Sequence, residues 1–171
     1  LMSYSVLAND TSSTRQGIIY VGNRSVVVTQ AGKTWKTTDF NLDGRNDILW
    51  QNQATGHLSV WRMNGVNQSA DIALSPGVVA DTNWKIVGTL DANRDGSVDI
   101  LWQHDGGWVS IWLMNGETLS QAVELSANAT ADPRWRIVAT GDMDRDDYKD
   151  IICQHWNDTG AEWVWNGLLM G

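Results

Sequence analysis

The chain has 171 residues, of which 42% are hydrophobic and 19% charged, a composition that supports one ordinary globular domain with a sizeable core. Its formal net charge of −8 disfavours binding to nucleic acid or to an anionic membrane surface, and no apolar run approaches the length of a membrane span. The single cysteine, Cys153, excludes an internal disulfide. Residues 1–5 match neither a signal peptide nor a native start, so we expect a mature, processed or excised chain.

Residues 1–34 form the least regular part of the sequence. Residues 5–9 and 17–23 align with two successive strands of the clearer repeats that follow, and residues 24–30 would form an outer strand beside them. We therefore predict a degenerate partial blade of a repeating β-structure over residues 1–34.

From residue 35 onward the sequence repeats a unit of about 51 residues. Each unit opens with a strand that starts at Trp and continues through an acidic loop into a second strand; a third strand then ends in Asn-Gly, a strong signal for a tight hairpin. These repeats predict blades over residues 35–83 and 84–134 and a partial blade over residues 135–171. Individual strands are predicted at residues 47–51, 69–74, 84–88, 99–103, 119–125, 135–139 and 150–154, with others ending at Asn64, Asn115 and Asn166.

Four short strands in each repeat, without helical periodicity, indicate an all-β fold, a β-propeller built from blades of four antiparallel strands. The sequence holds two full and two partial blades, which is at the lower limit for a closed ring of about four to eight blades. An open arc of blades would expose apolar faces and strand edges. We therefore expect missing blades, a second copy or another protein partner to complete the ring.

The acidic loops place oxygen-bearing residues at positions 1, 3, 5 and 9 of nine residues, and the backbone carbonyl at position 7 can add another oxygen. Calcium takes about six to eight such oxygens and tolerates irregular geometry, and glycine at position 6 permits a left-handed turn. We predict three calcium sites, formed by Asp39, Asn41, Asp43, Arg45 and Asp47; by Asp91, Asn93, Asp95, Ser97 and Asp99; and by Asp142, Asp144, Asp146, Tyr148 and Asp150.

Other interpretations of these loops explain the sequence less well. Turns rich in Asp, Asn and Gly are common in any protein, but three copies with the same offsets would crowd at least three carboxylates each unless a cation neutralised them. An EF-hand or a dockerin-type module needs a carboxylate at position 12, where this chain has Trp50, Trp102 and Cys153. Cys153 shares that position with two Trp residues, so we expect it to be a buried packing residue.

The repeats also sort the tryptophans. Those at matched positions are predicted to be core: Trp35, Trp84 and Trp135; Trp50 and Trp102; and Trp61, Trp112 and Trp163. Trp108 and Trp156 have no such counterparts and are predicted to lie in turns, where an exposed indole could stack on a sugar ring.

The loop Asp-Phe-Asn-x-Asp-Gly-x-x-Asp, the strand Asp-Ile-Leu-Trp and the phrases Trp-x-Met-Asn-Gly and Asn-Trp-Lys-Ile-Val-Gly resemble the FG-GAP/VCBS-type repeats of bacterial secreted proteins, relatives of the integrin α-subunit propeller and of certain fungal lectins. The resemblance covers residues 35–171 well and residues 1–34 weakly. It implies a calcium-loaded propeller that is secreted, periplasmic or on the surface of a bacterial cell. Asp147 in place of Gly and Cys153 in place of Trp depart from the pattern.

Two kinds of function follow from these predictions. In the first, calcium is structural and the protein is a non-catalytic module for recognition, adhesion or assembly; in the second, it is a lectin that binds a glycan through Trp108 and Trp156. An enzyme is disfavoured, because the chain has no nucleophile elbow, phosphate-binding loop or histidine-based metal motif. His104 and His155 share one repeat position with Asn52, which favours a polar contact over a catalytic base.

Overall fold

The structure, a computed structural model, describes residues 15–21, 24–30, 38–125, 132–143, 149–157, 160–162 and 167–168. The chain divides into two compact units, Leu1–Lys36 and Thr37–Gly171. In the first unit, β1 (Arg15–Val21) and β2 (Arg24–Gln30) pair as an antiparallel hairpin. Both strands were predicted from the sequence; the strand predicted at residues 5–9 lies outside the described residues.

The second unit is all-β over its described residues and contains the predicted strands, except that the strand predicted to end at Asn166 lies outside the described residues. Its first repeat has β3 (Ile48–Gln51), β4 (His57–Asn64) and β5 (Asn67–Val78), which pair in that order. A two-residue turn joins β4 to β5, as the Asn-Gly phrase predicted, and Gly65 supplies its positive φ of 65°.

The second repeat is a complete four-stranded antiparallel blade. Its strands are β6 (Trp84–Leu90), β7 (Asp99–His104), β8 (Val109–Asn115) and β9 (Thr118–Glu124), each paired with the next. The blade therefore has the architecture predicted for it, with the acidic loop between β6 and β7.

The third repeat begins in the same way. β10 (Trp135–Gly141) pairs with β11 (Asp150–Asn157), and two short strands, β12 (Gly160–Glu162) and β13 (Gly167–Leu168), both pair with β11. In the part of the chain that the structure describes, no helix is long and apolar enough to cross a membrane.

The first two repeats are joined at their outer strands. One parallel pair, Ser75 with Thr118, links β5 to β9 and makes a seven-stranded sheet. The Ser75 N–H donates to the Glu117 carbonyl at 2.9 Å, and Arg62 Nε donates to the Glu117 carboxylate at 2.8 Å. These contacts join the two repeats through their last strands, β5 and β9.

The hydrophobic core lies between consecutive repeats. One cluster joins the first and second repeats and includes Leu58, Val60, Ile100 and Trp102; a second joins the second and third repeats. Cys153 packs against this second cluster, as predicted, but is only partly buried; that burial raises the pKa of its thiol. Sheets that bury their faces against neighbours on either side are the packing expected of propeller blades.

The prediction that matched tryptophans are all core is wrong for Trp50, while Trp35 and Trp163 lie outside the described residues. Trp102 is 1% exposed because the first repeat covers it, whereas its counterpart Trp50 is 45% exposed. Trp50 packs only its own repeat's Trp61, with ring centroids 4.8 Å apart, among the described aromatic contacts. No described residue of the second unit precedes this repeat to cover Trp50, so burial depends on a neighbouring blade as well as on the sequence position.

Acidic loops and the contacts between repeats

The aspartates at position 9 of the loops are buried and tie two segments together. Asp47 accepts the Phe40 N–H at 3.0 Å with Oδ2 and the Met63 N–H at 3.0 Å with Oδ1. Asp99 repeats the arrangement with the N–H groups of Ala92 and Met114, both at 2.8 Å. Each carboxylate therefore joins the start of its loop, by hydrogen bonds, to the strand that precedes the Asn-Gly turn.

The pKa of the Asp99 carboxyl is raised, because burial disfavours the charged form. The two backbone N–H donors oppose this effect, and the nearby carboxylates of Asp95 and Asp91 add to it. The loop thus holds negative charge that its own hydrogen bonds only partly offset.

The aspartates at position 1 face back into their own loops. Asp39 is fully buried and accepts the N–H groups of Asp43 at 3.0 Å and Gly44 at 2.9 Å. Asp91 accepts the Gly96 N–H at 3.1 Å through Oδ2. Its other oxygen, Oδ1, is buried and has no hydrogen-bond partner among the described residues.

The side chains at positions 3 and 5 lie beside each other in both loops. Asn41 Nδ2 contacts Asp43 Oδ2 at 3.2 Å, and Asn93 Nδ2 contacts Asp95 Oδ2 at 2.9 Å. The position 7 N–H donates to the position 5 carboxylate in each case, at 2.9 Å in the first loop and 2.7 Å in the second. Hydrogen bonding from the Ser97 backbone lowers the pKa of Asp95 below its usual value.

The two loops also share one backbone path. Gly44 and Gly96 at position 6 have φ values of 94° and 86°, the left-handed turn that the sequence predicted. Position 4 is left-handed as well, at Leu42 (57°) and Arg94 (61°), which residue type did not indicate. The two loops therefore have the same pair of left-handed residues at positions 4 and 6.

The third loop is only partly described. Asp150 is buried and accepts the Met143 N–H at 2.7 Å with Oδ2, as its counterparts do. Its Oδ1 has no hydrogen-bond partner among the described residues; residue 165, the counterpart of Met63 and Met114, is not one of them. The predicted ligands Asp144, Asp146 and Tyr148 lie outside the described residues, and Asp142 is described at the start of the loop.

The donor set of these loops fits a hard cation, although the described side chains are not gathered around one point. Among the described residues, no group of three or more His, Cys, Asp and Glu side chains is placed to hold a metal ion. The oxygens are those that calcium prefers. The Oδ1 of Asp91 is buried and accepts no hydrogen bond from the described residues, which is unfavourable unless a cation binds it. A cation in the second loop would satisfy that oxygen.

Two glutamine side chains, which sequence reasoning missed, join each repeat to the next. Gln51 Nε2 donates to the Trp84 carbonyl at 2.7 Å, while its Oε1 accepts the Ile86 N–H at 3.1 Å. Gln103 makes the same pair of bonds to Trp135 at 2.9 Å and Ile137 at 3.0 Å. The recurrence of Gln at this repeat position was the available signal.

A histidine also recurs at the junction of repeats. His104 Nδ1 accepts the Gly106 N–H at 2.8 Å, and Nε2 lies 3.2 Å from Asp81 Oδ2. His155 Nε2 lies 3.3 Å from Asp132 Oδ2. Each His thus links its strand to the loop before the preceding strand, which is the polar contact that the sequence favoured.

The two candidate sugar-binding tryptophans differ in their placement. Trp108 lies between β7 and β8, is 55% exposed and packs against His104, with ring centroids 4.7 Å apart and the ring planes tilted by 48°. The prediction that Trp156 lies in a turn is wrong. Trp156 lies in β11, where it pairs with Ala161. The polar residues after Trp156 had suggested a turn, but β11 continues through Asn157, which pairs with Gly160 of β12.

The profile of the FG-GAP-like repeat matches residues 39–102 and 91–153. The two matches begin at the first Asp of the first and second acidic loops and end in β7 and β11, one repeat further on. No curated protein and no solved structure matches the chain. Because the two matches together cover more than half of the sequence, the chain belongs to the FG-GAP-like repeat family.

Proposed function

We propose that the protein is a non-catalytic, calcium-stabilised propeller module that works outside the cytoplasm in recognition, adhesion or assembly. FG-GAP-like repeats are typical of extracellular proteins and are generally non-enzymatic. The observation that carries the proposal is that two loops, 52 residues apart, have left-handed residues at the same two positions and share most of their hydrogen bonds. Such repetition suits a structural ion better than an active site.

The residues that would hold calcium are the acids and amides at positions 1, 3, 5 and 9 and the carbonyl at position 7. Calcium would supply positive charge to loops that contain ten aspartates at these positions. Three ions would bring the formal charge from −8 to about −2. An ion that binds only the folded state adds about 2.7 kcal/mol of stability per site at a hundredfold excess over its dissociation constant.

Calorimetric titration and thermal unfolding test this proposal. We expect calcium to raise the melting temperature and EDTA to lower it, and Asp95→Ala to remove one binding site. Asp95 is exposed and bonds only within its loop, so this variant should match the wild type in EDTA. Asp105→Ala, an acid in an exposed turn outside the loops, is the matched control. Absence of both binding heat and a calcium-dependent melting temperature would contradict the proposal.

A lectin is the second candidate, because Trp108 presents a half-exposed indole held by His104. Sugars stack on such surfaces through their apolar faces. Glycan-array binding that Trp108→Ala abolishes, without a change in melting temperature, would support this function. Binding that survives Trp108→Ala, or no binding to any glycan, would leave the indole as a surface residue.

A further inference from the structure

In the second repeat, Trp108 and Asp81 flank the same imidazole. The Trp108 indole packs against the His104 ring, with centroids 4.7 Å apart, and Asp81 Oδ2 lies 3.2 Å from His104 Nε2. Gly106 permits this packing, because a Cβ there would lie 2.9 Å from His104 Nδ1 and 3.1 Å from Trp108 Cζ3. The indole is therefore held in place while it remains half-exposed, close to an exposed carboxylate.

The Asp81 carboxylate has no Lys or Arg partner among the described residues. Hydrogen bonds from the Asn83 backbone and the His104 side chain lower its pKa, so it is ionised at neutral pH. His104 donates to it as a neutral ring, because Nδ1 accepts a backbone N–H at 2.8 Å and the ring proton is therefore on Nε2. Lys85, four residues further on, donates to the Thr82 carbonyl instead.

In the third repeat, the equivalent carboxylate binds a guanidinium. Asp132 Oδ2 lies 3.3 Å from His155 Nε2, which repeats the contact between Asp81 and His104. Arg134 adds a two-point contact, with Nε 2.9 Å from Oδ1 and a terminal nitrogen 2.6 Å from Oδ2. Paired contacts of this kind are typical of guanidinium and carboxylate groups. This carboxylate is therefore neutralised from within the chain.

Asn83 takes the place of Arg134 in the second repeat, directly before the Trp that opens the strand. Its Nδ2 donates to Asp81 Oδ1 at 2.8 Å, as the guanidinium Nε does in the third repeat. No described group replaces the terminal nitrogen at Oδ2, and the Asp81 side chain is 52% exposed, against 28% for Asp132. The second repeat thus has this carboxylate without its guanidinium, beside an exposed indole.

We propose that Asp81 and Trp108 form a binding site for a ligand that presents a guanidinium group. The guanidinium pairs with Asp81 Oδ2 and stacks on the exposed face of the indole. A guanidinium fits better than an ammonium, because it is planar and stacks on aromatic rings, and because Arg134 brings the same group to Asp132. The site lies outside the acidic loops, so it does not depend on the proposed calcium binding, and its ligand is a cation where a lectin's would be a sugar.

NMR titration of the ¹⁵N-labelled full-length chain tests this site. The probe is N-acetyl-arginine amide, and its neutral isostere N-acetyl-citrulline amide is the matched ligand. We expect saturable shifts of the Trp108 indole N–H and the Asn83 backbone N–H with the arginine probe and much weaker binding of the citrulline probe. Asp81→Asn and Trp108→Ala should each weaken binding by about three- to fivefold, as expected for one exposed ion pair or cation–π contact.

Asn83→Arg keeps both Asp81 and Trp108 but supplies a guanidinium from the chain itself, as Arg134 does in the third repeat. This variant should no longer bind the arginine probe. Asp71→Asn, which removes an exposed acid on β5, is the matched control and should bind as the wild type does. Undiminished binding by Asp81→Asn or Asn83→Arg, or equal binding of the arginine and citrulline probes, would overturn the inference.

The remaining outcomes separate this site from the other proposals. No binding of the arginine probe, or shifts of the Trp108 indole N–H with a glycan alone, would overturn the inference, and the second result would favour the lectin. Tighter binding of the capped probe than of free L-arginine would support an arginine side chain of a protein as the ligand, and the reverse would support a small molecule. The melting temperature with calcium and with EDTA reports separately on the calcium sites.

Discussion

Removing the Gln103 amide should destabilise the junction of the second and third repeats. Gln103→Ala leaves the Trp135 carbonyl and the Ile137 N–H without their partner in a nearly buried position. Each orphaned group costs about 1–3 kcal/mol, so the two together should lower the free energy of unfolding by about 2–6 kcal/mol. For a chain of this length, that corresponds to a fall in melting temperature of about 5–20 °C.

Gln103→Glu makes the same junction sensitive to pH. A protonated carboxyl can donate to Trp135 and accept from Ile137, as the amide does, whereas the ionised form loses the donor and carries a buried charge. The folded-state pKa of the introduced carboxyl is therefore raised above its unfolded value of about 4.3. Relative to wild type at the same pH, the variant should be close in stability below about pH 4 and progressively less stable as pH rises through the folded pKa.

Urea denaturation followed by far-UV circular dichroism measures both effects, with an unchanged m-value showing that the same surface unfolds. Gln121→Ala, on an exposed strand face, should stay within about 0.5 kcal/mol of wild type. Gln51→Ala should show the same sign with a smaller magnitude, because Gln51 is only half-buried. A Gln103→Ala variant as stable as wild type would refute the view that the amide secures the junction.

Three other changes have outcomes that follow from the structure. Gly56→Ala should cost several-fold more stability than Gly65→Ala, because both have positive φ but only at Gly56 would the added Cβ lie 2.0 Å from the Val79 carbonyl oxygen; thermal unfolding of the pair compares them. Leu42→Gly should raise the free energy of unfolding by about 0.5–1 kcal/mol in urea denaturation, because an exposed Leu is held at φ 57°. Hydrogen bonds from Arg134 hold the pKa of Asp132 well below its usual range, so its stabilising effect is present above about pH 4 and declines as pH falls; the melting-temperature difference between Asp132→Asn and wild type should shrink accordingly.

The strands and the loop turns were predictable because they depend on local chemistry. Short apolar segments such as Ile-Leu-Trp, the Asn-Gly turn at Gly65 and glycine at position 6 of the first two loops act within a few residues of one another. The left-handed conformation of Leu42 was not predictable, because no property of Leu favours it and the surrounding loop imposes it.

Contacts between repeats were harder to foresee because they depend on how blades stack. Gln103 meets Ile137, 34 residues further on, only after both strands are paired and the sheets are placed face to face. The same dependence explains why Trp102 is buried while Trp50 is half-exposed at the matched position. A period in the sequence identifies equivalent positions, but burial at each one depends on which neighbours cover it.

The acids within one loop should separate into two classes, although the sequence assigned all of them to calcium. Asp99 is fully buried and binds the backbone of two segments with both oxygens, whereas Asp95 is exposed and bonds within its loop. An amide in place of the Asp99 carboxylate can accept only one of these two N–H groups with its oxygen. Its own NH₂ group then faces the second N–H, so two donors oppose each other. Asp99→Asn should therefore lose about 1–3 kcal/mol of stability even in EDTA.

Asp95→Ala is the natural comparison, since its effect should appear only when calcium is present. Measuring the two variants by urea denaturation, with calcium and with EDTA, separates the contribution of the Asp99 hydrogen bonds from that of the proposed calcium ligand Asp95. If Asp99→Asn were as stable as wild type in EDTA, the hydrogen bonds to Ala92 and Met114 would not hold the loop on the blade. The buried acid would then have to be explained by metal binding alone.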